Sequence, residues 1–245
     1  MIFSKKEIHY ALIGNLLGDA YLRRNVNTQH WVESIHTNKQ RDYVMWLKQL
    51  YESWGLKTTS RFDFTKKTNY GDFTYSQVSC KLQTNRHVEH NRLYNYQGIK
   101  YFSKYIGDRI NVFGLLLWWL DDGSLTIHKK SNGSISRHGS LATHNFDYES
   151  QIRIQKMFKE RFNINVKIYK AKKETFYIYF NAINFRKFFD LLRPYLHMIP
   201  ISMMYKFNMQ YTENRLKESK SFLKYNLPEL LQNSLITGSN YRVVP

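Results

Sequence analysis

The chain has 245 residues, of which 42% are hydrophobic and 16% aromatic, so it carries enough apolar material for a folded core and is not a disordered protein. Thirty-seven Lys and Arg against nineteen Asp and Glu leave a formal net charge of +18, an excess that favours a polyanionic partner. The basic residues are interleaved with Tyr, Phe and Asn rather than gathered on one amphipathic helix. Nucleic acid is therefore favoured over an anionic membrane, and a purely structural role fits the charge poorly.

Cysteine content and the apolar runs indicate where the protein works. Its single cysteine, Cys80, excludes an internal disulfide and a cysteine-based zinc site, and it is typical of a reducing compartment. The first residues lack the apolar segment of a signal peptide, and the longest apolar run, 112–120, is too short to cross a bilayer. We expect an intracellular protein in a genome-bearing compartment (mitochondrion, chloroplast or bacterial cytoplasm), with no membrane contact.

The first predicted element is an apolar helix that begins before residue 11 and runs into Asp19, which the small residue Ala20 follows. Gly14 and Gly18 lie on one face of it. Because glycine costs about 1 kcal/mol in a helix interior, this pair indicates close approach of another backbone. Hydrophobic periodicity then predicts, in chain order, an extended stretch, a helix, two strands and a less regular helix, at 31–37, 41–54, 61–65, 74–82 and 85–94.

A second apolar helix follows and ends in two acids, Asp121 and Asp122, with Gly123 after them. It is apolar almost all round, as expected of a buried helix. The elements after it repeat the first series: an extended stretch, a helix, two strands and a helix, at 134–143, 148–161, 166–169, 176–180 and 185–195.

The two halves also share their spacing. Asp122 follows Asp19 by 103 residues, Lys100 follows Asp19 by 81, and Lys206 follows Asp122 by 84. We predict an α+β protein made of two αββαββα repeats related by a pseudo-twofold axis, with the two apolar helices packed together at the centre. The predicted boundaries are 1–106 for the first repeat, 107–208 for the second and 209–245 for a C-terminal extension.

The two acids are unfavourably placed for stability. A carboxylate at a helix C-terminus faces the negative end of the helix dipole, at a cost of up to about 1 kcal/mol, and two such ends brought together repel each other. A divalent cation reverses this balance, because clustered carboxylates are good ligands for Mg²⁺ and such ions activate water at a scissile phosphate. The alternative is that Asp19 and Asp122 simply end their helices at the surface. Two acids in register in a basic, duplicated chain favour the metal site.

At these residues the sequence resembles the LAGLIDADG homing endonucleases, in their single-chain, two-repeat, intron-encoded form. Residues 12–20 and 115–123 both lie over the nine-residue motif of that family, with the acid at its eighth position. The resemblance covers about residues 5–208. At 37–43 and 195–206 the sequence is similar to the yeast mitochondrial intron-encoded members.

Two positions depart from the family pattern. Ala20 stands where the motif ends in Gly, and Leu117 stands where the first helix has Gly14. The second helix is therefore expected to lack a small residue at that crossing point. Lys100 is assigned by its spacing.

The resemblance implies a monomer that makes a metal-dependent, staggered double-strand break in a long DNA target and promotes intron mobility. Two four-stranded antiparallel sheets would form a saddle over the duplex. The implied catalytic residues are Asp19, Asp122, Lys100 and Lys206. Mg²⁺, with Mn²⁺ as a substitute, would bind at the acids and their neighbours: Asp19, Asp122, Ala20, Asp121 and Gly123. Asp121 could instead support the site from behind or face solvent.

Alternation along the strands separates groove-facing from core-facing side chains. Val78, Cys80, Leu82, Val166 and Ile168 are expected to face the helices. The candidate contacts to bases or phosphates are Arg23, Arg61, Gln77, Lys81, Gln83, Arg137, Lys167, Tyr169, Lys170 and Lys172. Taken singly, each is more often a solvated charge or a phosphate contact than a reader of sequence. The polar stretches 23–29 and 129–137 are expected to be loops that grip the flanks of the site.

Two alternatives remain open. A nuclease with a histidine-based metal site is the weaker alternative, because the candidate histidines have no recognised ligand spacing. They are His87, His90, His128, His138 and His144. Some proteins of this fold are RNA maturases or bind DNA without cutting it, so intron RNA is an alternative partner. Retention of both motif acids favours the nuclease.

Overall fold

Two apolar helices cross at the centre of the molecule. The computed structural model describes residues 5–24, 30–70, 73–84, 100–129, 131–171 and 175–207. Helix α1 (Lys5–Leu17) packs along α4 (Val112–Asp122) so closely that a Cβ added to Gly14 would overlap the backbone of Gly114. The expectation that the second helix lacks a small residue at the crossing is wrong. Gly114, one turn before Leu117, fills that role.

The first half places two strands, a helix and two more strands after α1. Their bounds are β1 (Ala20–Arg24), β2 (His30–Thr37), α2 (Arg41–Ser53), β3 (Thr58–Tyr70) and β4 (Phe73–Thr84). The strands form an antiparallel sheet in the order β1-β2-β4-β3. The final helix predicted for this half, 85–94, lies outside the described residues.

The second half repeats this order. Its elements are α3 (Lys104–Arg109), α4, β5 (Gly123–Lys129), β6 (Ile135–Leu141), α5 (Tyr148–Phe162), β7 (Lys167–Lys170), β8 (Phe176–Phe180) and α6 (Ala182–Leu192). The sheet order, β5-β6-β8-β7, is the same as in the first half, which confirms the predicted α+β duplication. Two 3₁₀ helices, Arg193–Met198 and Ile201–Phe207, end the described chain.

Short polar side chains fix where the second-half helices begin. Asn111, Asp147 and Asn181 each precede a helix and accept a hydrogen bond from the backbone N–H three residues later. This satisfies one of the donors that a helix N-terminus leaves without a partner. Helix α5 ends at Asn163, whose φ of 52° is left-handed, a conformation that asparagine tolerates well.

The core is continuous across the two halves. Helix α4 is buried from Phe113 to Asp121, and Trp119 within it packs against four phenylalanines of the second half, Phe180, Phe185, Phe188 and Phe207. On the first-half side, α2 buries one face, which includes Tyr43 and Tyr51. Within the described residues, no helix is long and apolar enough to cross a membrane.

Some predicted details differ from the structure. Val78 is 50% exposed rather than in the core, because the β3–β4 ladder shifts register between Arg61 and Phe64 and the burial alternation of β4 changes at Ser79. Two segments predicted as loops, 23–29 and 129–137, are partly strand. The first begins within β1, and the second begins at the end of β5 and ends within β6. The boundary predicted at residues 106 and 107 falls inside α3, and the division into repeat units stays a prediction.

Candidate active site

The two motif acids lie at the adjacent ends of the crossing helices. Asp19 follows the last turn of α1 and leads into β1, with 42% of its side chain exposed. Asp122 is the last residue of α4 and is half-buried. The helix ends meet where Gly18 of the first motif contacts Asp121 of the second, and a Cβ at Gly18 would overlap the Asp121 side chain. Glycine at position 18 therefore makes room for the carboxylate that α4 brings.

The Asp121 carboxylate is buried, with 8% exposed, and it accepts three hydrogen bonds from the first half. Its Oδ2 accepts from Asn15 Nδ2 at 2.7 Å and from the backbone N–H of Asp19 at 3.1 Å, and its Oδ1 accepts from the Tyr43 hydroxyl at 2.7 Å. Burial raises the pKa of Asp121 well above its ordinary value, and the nearby Asp19 charge adds to the rise. Asp121 does not face solvent; it fixes the backbone of Asp19.

Each candidate lysine caps the motif helix of its own half. Lys100 Nζ donates to the carbonyl oxygens of Leu17, at 3.0 Å, and Gly18. Lys206 Nζ donates to the carbonyl oxygens of Asp121, at 3.0 Å, and Gly123, at 2.7 Å. The ammonium groups satisfy carbonyls that a helix end leaves without a partner, and they place positive charge at the negative end of the dipole.

The lysine caps explain how two acids are tolerated at helix C-termini. Burial lowers the pKa of both Lys100 and Lys206, while the motif acids oppose that shift. Burial raises the pKa of Asp122 to about 7; the Lys100 charge opposes this rise and the Asp19 charge adds to it. Near neutral pH the Asp122 carboxyl is therefore balanced between its protonated and ionised forms, and a cation would favour the ionised form.

His36 belongs to this site although no sequence motif marks it. It lies on β2, is 3% exposed, and places Nδ1 3.6 Å from Asp19 Oδ2. Burial lowers the pKa of His36, and the Asp19 carboxylate opposes the shift. Within the described residues, Asp19, His36 and Asp121 form a group whose ligand atoms all lie within 4.8 Å of one another. Carboxylate and imidazole donors of this kind fit a divalent cation.

The chain also matches a known protein family. Residues 9–188, more than two thirds of the chain, match the LAGLIDADG DNA endonuclease family. The chain belongs to the LAGLIDADG DNA endonuclease family. The matched range contains most of α1, all of α4 and both four-stranded sheets of the duplicated fold.

The individual relatives found are distant in sequence. The chain is 24% identical over 206 residues to "Probable intron-encoded endonuclease 1" of Wickerhamomyces canadensis, covering 80% of this chain and 81% of that protein. It is 25% identical over 202 residues to "Protein RecA" of Mycolicibacterium flavescens, covering 80% of this chain but spanning only 45% of the relative's length. Among solved structures, the homing endonuclease I-WcaI bound to its DNA recognition sequence has a TM-score of 0.66 at 22% identity, covering 84% of this chain and 87% of that one. This likeness confirms the fold.

The first-sheet candidates for DNA contact lie mainly on the face opposite the helices. Lys81 pairs with Arg61 on one side and with Ile35 on the other, whereas Cys80 and Leu82, its neighbours along β4, are buried. Arg61 is exposed, Lys81 and Gln83 are half-buried, and Gln77 donates to Ser79 Oγ at 3.2 Å. Lys81 also lies 3.5 Å from a buried acid on this face, Glu33. Arg23 belongs to β1, but its side chain lies outside the described part.

The second-sheet candidates divide between two faces. Lys167, Tyr169 and Lys170 of β7 are exposed. Tyr169 belongs to a row of rings that crosses the strands through Tyr179 and His138. Arg137, which was predicted to contact DNA, pairs with Ile127 and alternates in step with Gly139, which faces the helices. It therefore lies on the face opposite that row of rings. Lys172 lies outside the described residues.

Proposed function

We propose that this protein is a site-specific homing endonuclease that makes a staggered double-strand break in a long DNA target and promotes intron mobility. The observation that carries the proposal is the meeting of Asp19 and Asp122 at the ends of two crossing motif helices, joined by the buried Asp121 carboxylate. One chain carries both acids, so a monomer is sufficient. Family membership and the names of the relatives support the same function.

Divalent cations complete this site. We propose that Asp19 and Asp122 hold them, with the backbone at Ala20 and Gly123 alongside, and that Mg²⁺ is the usual ion and Mn²⁺ a substitute. A bound cation supplies Lewis-acid polarisation of the phosphate and lowers the pKa of a water molecule. Asp121 keeps the Asp19 backbone in place through its hydrogen bond.

The two lysines stabilise charge at the scissile phosphates. An ammonium group has three donors, and Lys100 and Lys206 each use two on helix-end carbonyls. We propose that the third donor of each binds a phosphate oxygen whose negative charge grows during hydrolysis. Capping fixes each ammonium group beside the acids, so little reorganisation is needed when DNA binds.

The outer faces of the two sheets form the DNA-binding saddle in this proposal. Basic side chains such as Arg61, Lys81 and Lys167 lie there, and β-sheets can enter the major groove. Most such contacts reach phosphates and set position, while the smaller number that reach base edges set specificity. The net charge of +18 suits a duplex that carries a negative charge at every phosphate.

The direct test is cleavage of DNA by the purified full-length protein. Substrates are a randomised duplex library and the intron-less form of the gene that hosts the coding sequence, each with Mg²⁺ or Ca²⁺. We expect double-strand cleavage at one site with Mg²⁺, and binding without cleavage with Ca²⁺. Absence of any cut site, together with tight binding of intron RNA, would overturn the nuclease in favour of an RNA-binding function.

A further inference from the structure

The side chain of His36 lies beside the carboxylate of Asp19. His36 Nδ1 lies 3.6 Å from Asp19 Oδ2 and 3.3 Å from the amide oxygen of Gln40. Two donors that each lie about 2.1 Å from one ion are at most about 4.2 Å apart, so Asp19 and His36 can share an ion with little movement. Asp121 is nearby, but both of its oxygens already accept hydrogen bonds from the first half.

The imidazole of His36 is held in a fixed orientation. Its Nε2 lies 3.0 Å from Ser34 Oγ, and its ring meets the Tyr43 ring edge-on at 5.3 Å between centroids. A metal ion requires the tautomer whose proton lies on Nε2 and is donated to Ser34. Nδ1 then offers its lone pair to the ion instead of donating a proton to the Gln40 amide oxygen. Metal-binding histidines are characteristically held this way, with the second ring nitrogen hydrogen-bonded to a neighbouring acceptor.

The second half has a different residue at the corresponding place. Ala20 pairs with Ser34 in the first sheet and Gly123 pairs with Leu141 in the second, so His36 corresponds to Thr143. The Thr143 hydroxyl is buried and donates to Gln151 Oε1 at 2.8 Å. Among the described residues, the second half therefore brings no imidazole to the register position that His36 occupies in the first.

We propose that His36 is a direct ligand of the cation held by Asp19, so that the two centres of this protein are chemically unequal. The inference rests on the proposed metal-dependent function and deepens it. The first centre combines carboxylate oxygen with imidazole nitrogen, and a nitrogen donor favours transition-metal ions over Mg²⁺. The second centre, built on Asp122, offers oxygen donors and suits Mg²⁺. Asp121 acts on the first centre by positioning Asp19, not as a ligand.

The competing explanation is a core histidine that only joins β2 to Gln40 and Ser34. That role needs no ion and predicts no preference of the first centre for one metal over another. A ligand role requires nitrogen bonded to the ion itself, which pulsed electron paramagnetic resonance detects as coupling of Mn²⁺ to ¹⁴N.

The experiment uses the full-length protein with Mn²⁺ as the probe, in the wild type, His36→Gln and the control His128→Gln, whose imidazole is exposed on β5. We expect ¹⁴N coupling in the wild type and His128→Gln, its loss in His36→Gln, and a loss of Mn²⁺ affinity of roughly tenfold or more at that centre. Labelling all histidines with ¹⁵N in the wild type should replace the ¹⁴N coupling, which tests the bond even if the variant folds poorly.

The outcomes separate the inference from the function beneath it. Mn²⁺ binding that depends on Asp19, measured with Asp19→Asn, but without any nitrogen coupling would overturn the ligand role of His36 and leave the nuclease intact. Nitrogen coupling that survives in His36→Gln would also overturn it. If no Mn²⁺ binds through Asp19, the result overturns both the ligand role of His36 and the metal-dependent mechanism at Asp19.

Discussion

The buried carboxylate of Asp121 accepts a hydrogen bond from the backbone N–H of Asp19 at 3.1 Å, across the crossing of the two motif helices. The two residues belong to different repeats, so the second repeat helps to hold the acid of the first. The contact has no counterpart in the opposite direction, because Gly18 stands where α4 has Asp121. The pseudo-twofold site is therefore asymmetric in the contacts that support its two acids.

Asp121→Ala should destabilise the protein. The substitution leaves Asn15 Nδ2, the Tyr43 hydroxyl and the Asp19 N–H without their acceptor, and a buried donor without a partner costs about 1–3 kcal/mol. Thermal unfolding measures the change. Asp121→Asn, which keeps the shape and one acceptor oxygen, is the matched control and should lose less. An unchanged melting temperature in Asp121→Ala would contradict the network.

Gly14→Ala should be among the most damaging changes in the core. Its new methyl group would overlap the backbone of Gly114, and α1 and α4 could accept it only by moving apart. We expect a loss of at least about 1–3 kcal/mol in the free energy of unfolding, measured by urea denaturation. Gly107→Ala is the control, since there the nearest atoms belong to the Phe102 ring, at 3.1 Å, and a side chain can shift. Equal effects at the two glycines would show that the helices do not touch as described.

Lys206→Met should slow cleavage while leaving DNA affinity nearly unchanged. The variant keeps the length of the side chain but removes the charge that caps α4 and, in our proposal, binds the scissile phosphate. Loss of one such donor lowers the cleavage rate by roughly 100-fold. Lys156→Met, at an exposed position on α5, is the control and should cut normally. A Lys206→Met protein that cuts at the wild-type rate would remove this lysine from the mechanism.

Ca²⁺ should stabilise the protein more at alkaline than at acid pH. Because the pKa of folded Asp122 is raised to about 7, this group's contribution to stability is full below its unfolded pKa and is lost as pH rises through about 7. A cation binds the ionised carboxylate and offsets that loss. Thermal shifts with Ca²⁺ at about pH 5.5 and about pH 8.5 measure this linkage. Asp122→Asn should lose most of the pH dependence, and a Ca²⁺ shift that is equal at both pH values would contradict the assignment.

DNA binding should weaken steeply with salt, because each lysine or arginine that binds a phosphate releases counterions from the duplex. Replacing both Arg61 and Lys167 by Met should lower the slope of log Kd against log salt by about one for each phosphate that the variant no longer neutralises. Lys104→Met, on α3 away from the sheets, is the control. A slope that is flat in the wild type would argue against the saddle.

The sequence was sufficient to predict the duplicated α+β fold, the two crossing helices and the acids at their adjacent ends. These depend on local patterns: an apolar run ending in an acid, glycines on one helix face, and a matched distance to Lys206. The motif also found Asp121 but left open whether it binds metal, supports the site from behind or faces solvent, because its partners Asn15 and Tyr43 are distant along the chain.

Other features depend on tertiary register and escaped the sequence patterns. His36 has no metal-binding motif around it, and it reaches Asp19 because β2 pairs with the strand that begins at Ala20. Val78 follows the alternation of an ideal strand, yet a register shift on the neighbouring β3 changes which residues of β4 are covered. Arg137 faces the helices because the pairing of β5 with β6 sets which residues of β6 lie on that face, and the local sequence does not specify this pairing.

Strand-resolved cleavage by Asp19→Asn and Asp122→Asn tests the central claim most directly. The substrate is the cognate duplex with a different label on each strand, with Mg²⁺, and DNA binding is measured in parallel. We expect that neither variant makes a double-strand break, although each binds the duplex with near wild-type affinity. Double-strand cleavage by either variant would contradict the assignment of Asp19 and Asp122 as the paired metal-binding acids.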